Sequence, residues 1–199
     1  MKKVDSAFKP AVLDILAKSF DSNKSVNHVI KQDHKRQQRI HALMSYSFKV
    51  CSAFGEVWMS DDEQACALIL YPDKKRFTLN SIVWDIQLCF SCIGLNRVNI
   101  VHQRESTIKA FHPKDPFTYL WFIGVNPSVQ HKGIGSKLLK EIIQHCQNMK
   151  RTIYLETSVE SNVVWYQKHG FEKYHTLDMG YKLNLLRFCK GIPINESWI

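Results

Sequence analysis

Proline, glycine and serine never gather into a run that would divide this chain: its eight glycines and six prolines are scattered over 199 residues. With 45% of residues hydrophobic, the sequence reads as one domain over 1–199, long enough to bury a sizeable core. There is no internal repeat and no low-complexity tract. The opening residues, Met1 to Lys9, are charged and lack the apolar stretch and small-residue cleavage site of an export signal, so a cytoplasmic protein is expected. The longest apolar segment, Leu79 to Leu95, is interrupted by Asn80, Asp85 and Gln87 and falls short of spanning length. No membrane partner is expected.

The six cysteines (Cys51, Cys66, Cys89, Cys92, Cys146 and Cys189) lack the spacing of a small disulfide-stapled domain, which favours reduced, buried thiols. Cys89-Phe90-Ser91-Cys92 is formally C-x-x-C, but it lies in an apolar helical pattern without a second Cys or His pair, so packing is the expected role. The nine histidines show neither H-x-x-x-H nor H-E-x-x-H spacing, and no metal is assigned. Acidic residues are the scarcer charge. The formal net charge is +9, and the first fifty residues hold ten Lys and Arg against Asp5, Asp14, Asp21 and Asp33. The basic run Lys35-Arg36-Gln37-Gln38-Arg39 has no interleaved aromatic or groove-reading motif, so a solvated helix face is favoured over a nucleic-acid site.

The chemistry-bearing stretch runs from Phe117 to Lys150. Tyr119 to Val125 is a short apolar run rich in aromatic and β-branched residues, stopped by Asn126-Pro127. Ile134, Leu138, Leu139, Ile142, Ile143, Cys146 and Met149 then recur at helical spacing. A strand therefore feeds a loop, and the loop feeds an amphipathic helix. At that junction Gly133 and Gly135 carry no side chain to keep a ligand from the backbone. The first helical amides lack intrahelical partners and sit at the positive end of the helix dipole, so a phosphate or pyrophosphate suits the place. Two familiar phosphate loops are excluded. The P-loop needs a glycine five residues before Gly133, and the dinucleotide fingerprint needs one where Leu138 stands.

Gln130-x-x-Gly133-x-Gly135 instead resembles the acyl-CoA pyrophosphate loop of the GNAT superfamily of N-acetyltransferases. About twenty residues on, Ile153 to Ser158 reads as the next strand, and Asn162-Val163-Val164-Trp165-Tyr166 leading to Gly170-Phe171 is similar to the second signature of that superfamily. His131 stands where many members have glycine. Leu-Trp-Phe-Ile-Gly-Val-x-Pro, Leu-Glu-Thr-Ser and Asn-x-x-Trp-Tyr look most like the small-molecule branch that includes puromycin N-acetyltransferase.

The remaining elements fit an α+β domain, a largely antiparallel sheet of six or seven strands flanked by helices. They are a weak strand at Val4 to Phe8, helices from Pro10 to Phe20 and Lys35 to Phe54, and a hairpin of Glu56–Ser60 with Gln64–Tyr71. Asp21 to Ser25 reads as the end of the first helix. Residues 77–112 read as a helical insertion, apolar from Leu79 to Leu95 and polar from about Asn99 to Phe111. Such an apolar helix is either buried or covered by a partner; it is expected to cover the acceptor cleft or form a subunit contact. Strands at Phe171–His175 and Tyr181–Phe188 close the chain.

The resemblance implies acetyl-CoA as co-substrate and transfer of its acetyl group to a primary amine of a small molecule, by direct attack in a ternary complex. The alternatives are a silent acyl-CoA-binding module and an enzyme acting on a protein amine. It further implies that the backbone at Ile123, Gly124 and Val125 pairs with the pantetheine arm and polarises the thioester carbonyl. Gln130, His131, Lys132, Gly133, Ile134, Gly135 and Ser136 would hold the pyrophosphate. Asn162 would lie beside the pantetheine arm, and Tyr166 would donate a proton to the leaving thiolate. Each has a plainer reading: a strand-end glycine for Gly124, a solvated lysine for Lys132, a helix N-cap for Asn162, a core tyrosine for Tyr166. For the general base, Glu156 at the end of its strand is the candidate, with a water chain or Asp85 as alternatives. A monomer or homodimer is expected.

Overall fold

The computed structural model describes residues 1–189, so the end of the domain expected over 1–199 lies outside the described residues. A seven-stranded sheet runs through the molecule in the order β1-β2-β3-β4-β5-β7-β6. Its strands are β1 (Lys2–Lys3), β2 (Gly55–Met59), β3 (Ala65–Leu70), β4 (Thr118–Val125), β5 (Ile153–Thr157), β6 (Phe171–Asp178) and β7 (Lys182–Phe188). Every neighbouring pair is antiparallel except β4 with β5. The helices are α1 (Lys9–Ser19), α2 (Lys24–Val29), α3 (Arg36–Phe54), α4 (Leu79–Leu88), α5 (Val98–Lys109), α6 (Ile134–Asn148) and α7 (Glu160–Lys168).

The central strand β3 is buried along its whole length, because both sheet faces are covered. Cys66, Leu68 and Leu70 pack with Leu16 of α1 and Ile40, Met44 and Cys51 of α3. Ala65, Ala67 and Ile69 pack on the other face with Leu139, Ile142, Ile143 and Cys146 of α6. The α6 stripe is the periodic run read from the sequence. It lies over small side chains, which lets the helix come close to the sheet.

Three local expectations need correcting. The first strand is Lys2–Lys3, paired with Met59 and Trp58, whereas Ser6–Phe8 turns as a 3-10 helix because the Asp5 carboxylate accepts from the Ala7 amide at 2.9 Å. The stretch read as ending the first helix also starts α2, whose N-cap Asn23 accepts from the Val26 amide at 3.0 Å. The apolar helix stops at Leu88, passes through a π-turn at Cys89–Ile93 and ends at Gly94, where φ is 83°. A left-handed residue breaks the helical ladder, and glycine adopts it without a Cβ clash. The π-turn is held by Arg39, which donates to both oxygens of Asp33 (2.9 and 2.6 Å) and to the Ser91 carbonyl at 3.1 Å.

Candidate active site

The parallel pair β4–β5 is joined only at Thr118↔Ile153 and Tyr119↔Tyr154. Beyond those residues the strands part. Each remains tied on its outer edge, β4 to β3 as far as Val125 and β5 to β7 as far as Thr157. Their inner edges therefore diverge with backbone groups that have no strand partner. A bulge sharpens the opening: Leu68 pairs with Phe122 and Ile69 with Leu120, leaving Trp121 as the extra residue of β4. Such an insertion bends its strand and increases its twist. The bulge lies three residues before Gly124, which itself sits on the part of β4 that has left β5. A Cβ at Gly124 would meet Leu16 Cδ2 at 3.0 Å and Ser19 Oγ at 3.1 Å. Glycine there lets α1 approach, and Ser19 donates to the Val125 carbonyl at 2.8 Å.

The loop from Gln130 to Ser136 closes the wide end of the gap. His131 has φ 65° and Gly133 φ 80°. The first value explains why glycine suits that position: this histidine holds a left-handed backbone that costs an ordinary residue roughly 1–2 kcal/mol. Gly133 is the N-cap of α6 and offers no side-chain acceptor to the first amides, the earliest intrahelical bond being Lys137 N–H to the Gly133 carbonyl at 2.9 Å. Gln130, His131, Lys132 and Lys137 are exposed around these amides. Gln130 also donates to the Val125 carbonyl at 3.2 Å, fixing the loop to the end of β4.

Gly135 has a packing role as well. A Cβ there would meet Val125 Cγ2 at 3.0 Å and Trp165 Cζ2 at 3.8 Å, so the missing side chain lets α6 pack against β4 and α7. The Ser136 hydroxyl accepts from Trp165 Nε1 at 3.0 Å, which ties the start of α6 to the second half of α7. Ile123, Ile134 and Val125 are half-buried beside that junction.

Asn162 lies in the first turn of α7 but is not its cap; Val159 is. Its side chain is exposed and makes no hydrogen bond among the described residues, which removes the N-cap reading. Tyr166, one turn on, is buried beside Trp165 (ring centroids 4.7 Å) and Phe171 (5.3 Å). Burial pushes its hydroxyl well above the ordinary tyrosine value, and no protein group among the described residues hydrogen-bonds to it.

On β5, Ile153, Leu155 and Thr157 turn toward α6 and α7, so Glu156 projects from the opposite face. There its side chain is only 7% exposed, and its Oε1 is 2.9 Å from His112 Nε2. Its other oxygen accepts from the Tyr119 hydroxyl. Burial and the nearby Glu156 and Glu105 charges raise the Tyr119 hydroxyl well above its usual range. The His112 ring packs against Phe117 and Tyr119 at 5.1 and 5.4 Å. His112 was missed because it precedes a Pro-Lys-Asp-Pro connector and belongs to no motif. Its clue is proximity in the fold alone. Asp85, the alternative base, lies on α4 and accepts from the Tyr46 hydroxyl at 2.7 Å; it is not among the side chains that meet Glu156.

The segment 77–112 reaches this face through α5. Arg104 donates to Tyr181 at 3.1 Å and to Ser25 of α2 at 2.5 Å, and Ile108 packs with Leu183 and Leu185 of β7. Among the described residues no group of three or more Cys, His, Asp or Glu side chains is placed to hold a metal ion.

Residues 92–173 match the family model of the acetyltransferase (GNAT) domain, a span that runs from the π-turn through the loop to the start of β6. The fold is that of solved acetyltransferases. One is histone acetyltransferase HPA2 and related acetyltransferase from Corynebacterium glutamicum, at TM-score 0.68 and 18% identity over 96% of each chain. Another is arylalkylamine N-acetyltransferase 2 from Aedes aegypti, at TM-score 0.57 and 14% identity, covering 94% of this chain and 96% of that one. A third is the NatC complex bound to Gag peptide and CoA, at TM-score 0.53 and 12% identity over 94% and 95%. Over that span the chain is similar to the GNAT acetyltransferase domain, and the fold as a whole is one that solved acetyltransferases share. The puromycin-type branch is not singled out, since both small-molecule and peptide enzymes share the fold.

Proposed function

We propose that the protein is an acetyl-CoA-dependent N-acetyltransferase acting on a primary amine, with the thioester seated in the gap between β4 and β5. The observation that carries this reading is the parting of the two strands beyond Tyr119 and Tyr154, with an uncapped helix N-terminus at its wide end. Pantetheine amides would pair with the free edge of β4 at Ile123, Gly124 and Val125. The pyrophosphate would accept from the α6 amides of Ile134, Gly135 and Ser136, with Gln130, His131 and Lys132 around it and Asn162 beside the arm.

Glu156 and Tyr166 lie on opposite faces of the sheet, flanking the gap, which suits a reaction that takes a proton on one side and gives one on the other. The amine nitrogen attacks the thioester carbonyl, whose developing oxyanion is met by a β4 backbone N–H. The ammonium proton passes to Glu156 or, across 2.9 Å, to His112. The C–S bond then breaks, and the CoA thiolate takes the proton of Tyr166, a hydroxyl that its burial keeps protonated at neutral pH.

A small acceptor is favoured over a polypeptide because α5 is tied to α2 at Ser25 and to Tyr181 through Arg104 and packs on β7 through Ile108, beside the Glu156 face. Incubating acetyl-CoA with a panel of arylalkyl and aliphatic amines, and following release of free thiol, tests the reading. Turnover with small amines is expected. Acetyl-CoA binding without thiol release on any amine or peptide would instead indicate a silent acyl-CoA-binding module.

A further inference from the structure

α4 has two apolar sides, and among the described residues only one of them is covered. Trp84 and Leu88 pack toward α3, with Tyr46 and Lys49 of that helix bonded to Asp85 (2.7 Å) and Gln87 (3.2 Å). The other side presents Leu79, Ile82, Val83, Ile86 and Phe90, spaced as one helical stripe and all exposed. Phe77, immediately before the helix, is 95% exposed, Leu79 84% and Phe90 64%. Isolated apolar side chains on a surface are ordinary, but a continuous stripe of this size marks an interaction site.

The charge around it says what kind. Lys74, Lys75 and Arg76 run directly into Phe77 and are all exposed. Asp73 before them is held by Arg151 at 2.8 and 2.6 Å and so does not neutralise the run. Asp85 is the one acidic residue from 74 to 104, and it is occupied by Tyr46. A second copy presenting the same stripe would offer these cations no free carboxylate, because Asp85 is the one acidic residue of that segment and is already bonded. An anionic surface with an apolar layer beneath it matches both features.

We propose that the α4 stripe, led by Lys74-Lys75-Arg76, seats the protein on an anionic lipid bilayer, with Phe77, Leu79, Ile86 and Phe90 entering the interface and the three cations at the headgroups. This is surface attachment: among the described residues no helix is long and apolar enough to cross a membrane. The expectation of no membrane partner rested on spanning length, which does not bear on a helix lying in the interface. The same segment continues into α5, which carries Arg104, and His112 just beyond α5 meets Glu156.

The test is co-sedimentation of the full chain with vesicles of phosphatidylcholine alone or with about one-third phosphatidylserine. Partition into the anionic vesicles is expected, falling steeply at about 0.5 M salt. Lys74→Gln/Lys75→Gln/Arg76→Gln is expected to weaken it by on the order of 10²-fold, and Phe77→Ser/Ile86→Ser to abolish it. Both changes are at exposed positions, and an unaltered melting temperature checks that the variants remain folded. No partition into either vesicle, or equal partition into both, overturns the proposal. So does a homodimer that Phe77→Ser/Ile86→Ser converts to monomer, which would assign the stripe to a second copy.

Discussion

His112 Nε2 stands 2.9 Å from Glu156 Oε1, joining a loop that precedes β4 to a strand 44 residues later. Because Tyr119 occupies the other carboxylate oxygen, the histidine ring is the partner through which Glu156 can exchange a proton without losing its anchor. Glu156→Gln and His112→Gln are each expected to lower kcat/KM by about 10²–10⁴-fold while leaving the acetyl-CoA-dependent rise in melting temperature in place. A variant of either with unchanged kcat/KM would remove that pair from proton transfer.

Tyr166→Phe separates acid catalysis from packing. The phenylalanine ring preserves contact with Trp165 and Phe171, and no hydrogen bond to the described residues is lost, so stability should change by less than about 1 kcal/mol. Turnover is expected to fall by about 10²–10⁴-fold with CoA affinity retained. Near-normal kcat at saturating amine would leave Tyr166 a core side chain.

The two loop glycines should fail in different ways. Gly133→Ala meets no atom within 4 Å, yet it must adopt φ 80°, a strain of about 1 kcal/mol, so a modest drop in stability with weakened CoA binding is expected. Gly135→Val collides with Val125 at 3.0 Å and should move α6 off β4, costing about 1–3 kcal/mol and CoA binding together. His131→Gly should be tolerated, because it relaxes a left-handed position. Denaturant melts of the three proteins, each with and without CoA, distinguish these outcomes.

Acid should weaken the α2–α5 side of the site. Burial, then the Arg104 and Arg97 charges, lower His28 from its ordinary 6.5, and Tyr181 packs on its ring at 5.3 Å. The folded protein therefore binds this proton less readily than the unfolded chain. The contribution of neutral His28 is complete above 6.5 and declines as pH falls from there toward the lowered folded value. His28→Gln is expected to flatten that part of the stability–pH curve; an unchanged curve would assign the acid sensitivity elsewhere.

The strand–loop–helix unit from Phe117 to Thr157 is legible in the sequence because each step has a strong local signal. These are an aromatic and β-branched run, Asn126-Pro127, two glycines and an unbroken helical stripe. The gap beside it is not legible. It arises from which strands pair and how far, and the bulge at Trp121 has no residue signature of its own. Gly135 reads from sequence as phosphate access, and its part in packing emerges only from the position of Val125. The apolar helix was legible as a helix, while its exposed side depended on how little of it α3 covers.

Binding of acetyl-CoA in the β4–β5 gap is tested most directly by melting the protein across a titration of that ligand. A ligand that binds only the folded state adds RT ln(1 + [L]/Kd), about 2.7 kcal/mol at one hundred times Kd. The melting temperature is therefore expected to climb with the logarithm of acetyl-CoA concentration in the native protein and to stay level in Gly135→Val. A melting temperature that does not move at millimolar acetyl-CoA in the native protein would contradict the assignment of the gap.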